Sequence, residues 1–249
     1  MPLQLGQVLE ARYRVDALLA QGGMGAVYRA TDLHLGTVVA LKENLGPDPA
    51  AQRQFAYEAS ILATLQHPCL PRVIDHFSVP GQGQYLVMDF VEGEDLDRTL
   101  ANRGRLREAE ALAYVYPVLD ALEYLHGQNP PVIHRDIKLA NIRITPNRRV
   151  FLVDFGLAKV HIPSAKTTAC ARAVTPGFSP PEQYGLGGTD ARSDLYALGA
   201  TLYALLTGAP PPEATDRTSG AAVLIPPGQL GIPVSPVVEA ATLDRKSVV

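Results

Sequence analysis

Residues 134–141 read His134-Arg135-Asp136-Ile137-Lys138-Leu139-Ala140-Asn141, and thirteen residues after Asn141 comes Asp154-Phe155-Gly156. Between the two segments, short strands around 141–145 and 150–153 flank Pro146-Asn147, a turn by composition. Upstream, 108–126 places Leu112, Val115, Leu119, Leu122 and Leu125 on one helical stripe, which reads as a core helix. Downstream, a loop punctuated by glycine and proline runs to about Tyr184, and 194–206 forms a second apolar helix. A shorter amphipathic helix begins at Ser235.

Toward the N-terminus the pattern changes from helix to strand. Runs at 13–19, 26–31 and 38–43 alternate or concentrate β-branched and apolar residues, with one helix inserted over 52–66 and two further strands at 74–79 and 84–90. Pro80-Gly81-Gln82-Gly83 reads as the turn between the last two. Ala20-Gln21-Gly22-Gly23-Met24-Gly25-Ala26-Val27 joins the first two strands. Its glycines serve either a plain turn or a cradle whose backbone N–H groups surround phosphate oxygens. A dinucleotide loop would lead into a helix, whereas Val27-Tyr28-Arg29 continues as strand, which argues against that alternative. Lys42 ends the strand Val39-Ala40-Leu41-Lys42, and is either a snorkelling surface lysine or a fixed charge for nucleotide phosphates. Glu58, on the inserted helix, is either solvated surface or the carboxylate that holds that lysine.

Taken together and in order, the glycine loop, strand lysine, helix glutamate, His134-Arg135-Asp136 loop, Asp154-Phe155-Gly156 and Pro180-Pro181-Glu182 resemble the eukaryotic-type Ser/Thr protein kinases, closely their bacterial (Hanks-type) members. The resemblance spans 13 to about 243. It implies an α+β, two-lobed kinase-like fold, with a β-rich N-lobe over 13–90 and a mainly helical C-lobe over 91–243. It implies transfer of the γ-phosphoryl group of ATP to Ser or Thr hydroxyls of protein substrates, with ATP and Mg²⁺ as cofactors.

By the same resemblance, Asp136 accepts or orients the proton of the substrate hydroxyl, and Lys138 offsets charge on the transferring group. Asn141 and Asp154 supply hard oxygen ligands to Mg²⁺, and Lys42 with Glu58 forms the ion pair that aligns the nucleotide. The ATP site comprises Ala20, Gly22, Gly23, Gly25, Val27, Ala40, Lys42, the gatekeeper Met88, the backbone of Asp89 and Val91, and Asp95 at the ribose. Gly22 and Gly25 are expected to hold the tight positions of the loop, so that Ala20 is tolerated where a glycine is usual. Arg143 stands where an apolar floor for adenine is usual, its stem serving while the guanidinium snorkels outward. Arg135 implies regulation by a phosphorylated loop residue, with Thr167 and Thr168 as autophosphorylation sites; Thr175 matches the substrate-pocket threonine. His134 is expected to pack beneath Asp154-Phe155-Gly156. Asp194 is expected either to hold the catalytic loop or to cap its helix. A pseudokinase acting as a binding module would normally have lost the lysine, the base or a metal ligand, and all are present. Pro180-Pro181-Glu182 and Thr175-Pro176 argue against a small-molecule phosphotransferase.

Composition agrees with this frame. The chain has 249 residues, 47% hydrophobic and 19% charged, enough for a sizeable core. Its 22 Lys and Arg against 25 Asp and Glu give a net charge of −3, and no long basic run tracks a phosphate backbone, so no nucleic-acid partner is expected. Two cysteines, Cys69 and Cys170, point to a reducing, cytoplasmic setting for the domain. The histidines lack ligand spacing for a metal site beyond Mg²⁺. The longest apolar stretch, 195–206, is shorter than the roughly 20 residues a spanning helix needs, so no membrane segment is expected in this piece. Dimerisation through the N-lobe is left open. The helical lobe is expected to be incomplete, because the family continues with a further helix and an arginine that pairs with the position of Glu182, and neither Arg217 nor Arg245 has that context. Residues 244–249, Asp-Arg-Lys-Ser-Val-Val, match what a common sequencing adaptor would encode and are expected to be a non-native tail.

Overall fold

The computed structural model describes residues 3–22, 25–45, 49–154, 159–160, 174–185 and 188–243. The tail 244–249 lies outside them. The chain divides into two compact units, Met1–Val91 and Glu92–Val249.

The first unit is a six-stranded antiparallel sheet in the order β1-β2-β3-β4-β6-β5, built from β1 (Val8–Leu9), β2 (Tyr13–Gly22), β3 (Gly25–Asp32), β4 (Thr37–Asn44), β5 (Val73–Val79) and β6 (Gly83–Asp89). Helix α1 (Pro49–Leu62) packs on β5. Alternation along β3 and β4 sends Ala26, Tyr28, Ala30, Val39 and Leu41 into one core with Tyr13, Val15, Tyr85 and Val87. Glu43 occupies the next core position of that alternation and is 2% exposed. Its carboxylate accepts from the hydroxyls of Tyr28 and Tyr85, both at 3.2 Å, which meets the requirement that a buried acceptor be paired. Sequence patterning does not reveal β1, a two-residue strand joined to β2 by a tight turn in which Glu10 and Ala11 take φ of 50° and 51°.

The second unit is mainly helical. It runs through β7 (Glu94–Asp95), α2 (Leu96–Arg103), α3 (Glu108–His126), β8 (Val132–Ile133), a 3₁₀ turn (Leu139–Asn141), β9 (Ile142–Ile144), β10 (Val150–Leu152) and β11 (Lys159–Val160). Helices α4 (Pro181–Tyr184), α5 (Ala191–Thr207), α6 (Ala214–Ser219) and α7 (Pro236–Leu243) follow. Helix α3 forms over the expected residues and buries Val115, Leu122 and Leu125 of the expected stripe, but Ala111, Val118 and Ala121 complete the buried face in place of Leu112 and Leu119. Leu119 is consequently 39% exposed. Helices α3 and α5 pack together, and α5 is the more buried, with eleven of its residues inside. Three residues earlier than expected, α5 begins with a capping box formed by Asp190 and Ser193 and ends at Gly208 in the left-handed conformation. Asp194 therefore lies inside the first turn and does not serve as the cap.

Candidate active site

In the first unit, the strand register sorts the nucleotide-site candidates onto one face. Directly opposed residues of antiparallel strands share a face, and Ala20 opposes Val27, Val27 opposes Lys42, and Ala40 opposes Met88. Lys42 and Ala40, two apart on β4, then put all five residues on the face opposite Tyr28, Leu41 and Glu43. The two glycines that end β2 and begin β3 pair across the hairpin, Gly22 with Gly25. They are not equally tight. A Cβ on Gly25 would lie 1.9 Å from the carbonyl oxygen of Glu43, at a φ of +151°, whereas one on Gly22 would meet nothing within 4 Å among the described residues. Of this described pair the steric requirement falls on Gly25, where the hairpin returns across the β4 backbone. Gly23 lies outside the described residues.

Glu58 is half-buried on α1 and accepts from Gln54 Nε2 at 2.8 Å. Asp89 donates its N–H to the carbonyl of Arg72 at 3.0 Å, and its carboxylate grips the Arg72 guanidinium at 2.9 and 3.2 Å. Any backbone contribution of Asp89 to a bound base is therefore its carbonyl. Val91 is buried at the end of this unit.

In the second unit the segment after β8 gathers its polar groups around one carboxylate. Lys138 Nζ lies 2.8 and 3.0 Å from the two oxygens of Asp136, Asn141 Nδ2 donates to Asp136 Oδ2 at 2.9 Å, and Thr175 Oγ1 donates to Asp136 Oδ1 at 2.9 Å. Three side chains from two segments thus hold the carboxylate in one orientation. Thr175 is held in turn by its N–H to Ser179 Oγ at 2.9 Å, and Gly177, at φ +80°, lets that turn approach the backbone of Pro211.

Asn141 uses its amide nitrogen twice, donating also to the Asp136 carbonyl at 2.7 Å, which leaves Oδ1 as the atom it can offer a cation. Val153 N–H bonds the Asn141 carbonyl at 2.8 Å and so brings the residue before Asp154 to the turn that carries Asp136 and Asn141. Asp154 itself takes φ +65°. An amide oxygen and a carboxylate on adjoining segments fit a hard divalent cation. Phe155, Gly156, Thr167 and Thr168 lie outside the described residues.

Beneath the loop, Asp194 is fully buried and accepts the N–H groups of His134 at 2.8 Å and Arg135 at 2.7 Å. His126, at the end of α3, places Nε2 2.9 Å from the same carboxylate. His134 is also fully buried, and desolvation pushes its imidazole below the ordinary histidine range, against the pull of Asp194, Asp136 and Asp154. Arg135 takes φ +70°, a left-handed conformation for a non-glycine residue, and its carbonyl accepts from Gln183 Nε2 at 2.8 Å.

Glu182 accepts from Ser193 Oγ at 2.6 Å. Arg143 donates from its guanidinium to the carbonyl of Gly93, in an exposed hydrogen bond just before β7. Asp95 caps α2 by accepting from Arg98 N–H at 2.9 Å. The partners of His126, Gln183 and Ser193 are not legible in the sequence: each is a common residue type whose partner lies 68, 48 and 11 positions away respectively.

Residues 13–226 match the protein kinase domain family, and the chain belongs to that family. It is 38% identical over 221 residues to the serine/threonine-protein kinase pkn3 of Myxococcus xanthus, covering 84% of this chain and 40% of that protein. It is 39% identical over 223 residues to serine/threonine-protein kinase B of Synechocystis sp., covering 82% and 38% respectively. Among solved structures, the Mycobacterium tuberculosis PknI kinase domain superposes with a TM-score of 0.71 at 30% identity, covering 97% of this chain and 91% of that one. The fold is accordingly the α+β kinase fold. The chain spans 31% to 50% of the length of eight curated relatives it matches. No helix among the described residues is long and apolar enough to cross a membrane.

Proposed function

We propose that the chain is the catalytic domain of a signalling protein serine/threonine kinase, transferring the γ-phosphoryl group of ATP to Ser or Thr hydroxyls of protein substrates. The observation that carries this reading is the Asp136 carboxylate fixed by Lys138, Asn141 and Thr175. Asp136 takes the proton of the substrate hydroxyl as its oxygen bonds to the γ-phosphorus; the bond from that phosphorus to the β,γ-bridging oxygen breaks, and ADP leaves. Lys138, a fixed cation beside the base, offsets charge on the transferring group. Asn141 Oδ1 and the Asp154 carboxylate would hold Mg²⁺, which when bound neutralises phosphate charge. Lys42, held by Glu58, would engage the phosphates together with the backbone of the Gly22–Gly25 hairpin, and Ala20, Val27, Ala40 and Met88 would line the apolar face for adenine. Asp95 keeps one carboxylate oxygen for the ribose beyond its capping bond.

Arg135 would receive a phosphate on Thr167 or Thr168 once these autophosphorylate. The domain works in the cytoplasm on protein substrates, a reading supported by the two-cysteine composition. The test is ATP turnover on a generic basic protein by the wild type and by Asp136→Asn. Turnover that the variant loses supports the kinase; ATP binding with no turnover in either means a pseudokinase-type binding module or an inactive fragment. Mass mapping of ATP-treated, active protein that finds both threonines unmodified would sink the autophosphorylation step.

A further inference from the structure

The Arg135–Asp136 peptide group is gripped from both of its edges. Its carbonyl, on Arg135, accepts from Gln183 Nε2 at 2.8 Å, and its N–H, on Asp136, points to His134 Nδ1 at 3.4 Å. The preceding peptide N–H, on Arg135, goes to Asp194 Oδ1 at 2.7 Å. Because a peptide is planar, fixing the Arg135 carbonyl fixes the plane from which the Asp136 side chain departs. That plane needs fixing: Arg135 sits at φ +70°, a conformation that costs on the order of 1 kcal/mol or more and persists only where its surroundings over-determine it.

Gln183 is itself held in place. Its N–H bonds the Pro180 carbonyl at 3.0 Å within α4, and its neighbour Glu182 receives the Ser193 hydroxyl at 2.6 Å. Ser193 adjoins Asp194 on α5. The contacts therefore close a ring: Arg135 to Asp194, Ser193 to Glu182, Gln183 back to Arg135. The residue types suit the task, since a carbonyl can be satisfied only by a donor, and glutamine reaches it with an uncharged one where glutamate would oppose acceptor to acceptor. Ser193 closes the ring without any arginine.

We infer that Gln183 is a positioning residue for phosphoryl transfer, holding the Arg135–Asp136 peptide plane so that the Asp136 carboxylate stays aimed, with the Ser193–Glu182 hydrogen bond keeping Gln183 in reach. The inference rests on Asp136 being the base. Mispositioning a reacting group by a fraction of an ångström to 1 Å costs up to about 100-fold in rate, without an equal loss of nucleotide binding.

The experiment compares wild type, Gln183→Met (same length, no donor), Gln183→Lys (donor retained), Ser193→Ala and the Gln183→Met/Ser193→Ala double variant. It measures kcat and KM for ATP, and amide hydrogen exchange over 134–136 in the absence of ATP. Expected are a roughly 10- to 100-fold fall in kcat for Gln183→Met with KM within about twofold, partial recovery in Gln183→Lys, and a smaller fall in Ser193→Ala. The double variant should be little worse than Gln183→Met, since the ring opens once. Exchange over 134–136 should quicken in Gln183→Met and in Ser193→Ala. Unchanged kcat and exchange in folded Gln183→Met overturns the inference, as does a kcat that falls only in proportion to the folded fraction. Should Gln183→Met fail to fold, Ser193→Ala decides by the same two readouts. A wild type without turnover would overturn the kinase reading alone, and exchange would still decide whether Gln183 clamps the loop.

Discussion

Lys138 lies astride the Asp136 carboxylate, its ammonium 2.8 Å from one oxygen and 3.0 Å from the other. The pair is only partly exposed, 26% for the lysine side chain and 13% for the aspartate, and the carboxylate has two further donors in Asn141 and Thr175. Removing the lysine therefore leaves no buried charge without a partner, and its loss should be read in chemistry. Lys138→Met is expected to lower kcat about 100-fold with stability changed by less than about 1 kcal/mol, and Asp136→Asn to lower kcat by about 10²–10⁴-fold. Steady-state turnover on a basic protein alongside urea denaturation checks both. Equal losses of kcat and stability in Lys138→Met would contradict the assignment.

Asp194 is the opposite case. Its carboxylate is wholly buried, and both oxygens are spent on the N–H groups of His134 and Arg135 and on His126. An amide in its place has one acceptor oxygen and turns an NH₂ toward a donor. Asp194→Asn should cost about 1–3 kcal/mol in urea denaturation and reduce kcat as well, because the loop that loses its anchor carries Asp136. A variant as stable as wild type would show that the loop is held elsewhere.

The pH dependence of stability follows from His134 and, in the other unit, His76. Burial depresses both imidazoles below the ordinary value of about 6.5, opposed at His76 only by Asp75. A histidine harder to protonate when folded contributes stability that is present above the unfolded value and is lost as the pH falls through the folded one. The unfolding free energy from urea denaturation should fall as the pH is lowered below about 6.5, by at most about 1.4 kcal/mol per pH unit for each histidine. His134→Gln and His76→Gln should each flatten that slope. Slopes identical to wild type in both would refute the account.

Much of the architecture is legible in the residues, and the failures have physical causes. Strands with period-2 alternation and glycine or proline at their ends, such as β3 and β4, were within one residue of the expected limits. The cluster around Asp136 was legible because Asp136, Lys138 and Asn141 are close in sequence. What pattern could not supply was contact between distant segments. Ser193 could not be matched to Glu182, nor Gln183 to Arg135, before folding brought α4 and α5 beside the loop. Leu119 shows the same limit on a helix, where apolar character at the right spacing still left one position of ambiguity about which face was covered. Glu43 reads as a polar end of a strand, yet its two tyrosine partners make it a core residue.

The β1–β2 turn stores removable strain. Arg12 N–H bonds the Leu9 carbonyl at 2.9 Å, and the two central residues, Glu10 and Ala11, both take positive φ, the turn geometry that favours Asn-Gly. Both are exposed, so a change there sacrifices no packing. Ala11→Gly should stabilise the chain by about 1 kcal/mol and raise Tm by about 2–4 °C in thermal melts. An unchanged or lower Tm would mean that the entropy glycine adds to the unfolded chain offsets the relief.

The glycine hairpin separates steric from chemical need. At Gly25 a methyl group would collide with the Glu43 carbonyl 1.9 Å away, and the collision is with backbone of the strand that carries Lys42. Gly25→Ala must therefore spread β3 from β4, and is expected to cost about 2–4 kcal/mol while raising KM for ATP. At Gly22 a methyl group meets nothing within 4 Å among the described residues, so Gly22→Ala should leave stability within about 0.5 kcal/mol of wild type. Any rise in KM for ATP in that variant would then report on the space a phosphate needs, because the protein's own packing makes no demand there. Urea denaturation and ATP titration of the two variants side by side provide the check. A Gly22→Ala variant as destabilised as Gly25→Ala would show that the hairpin, not its contact with Glu43, sets the requirement.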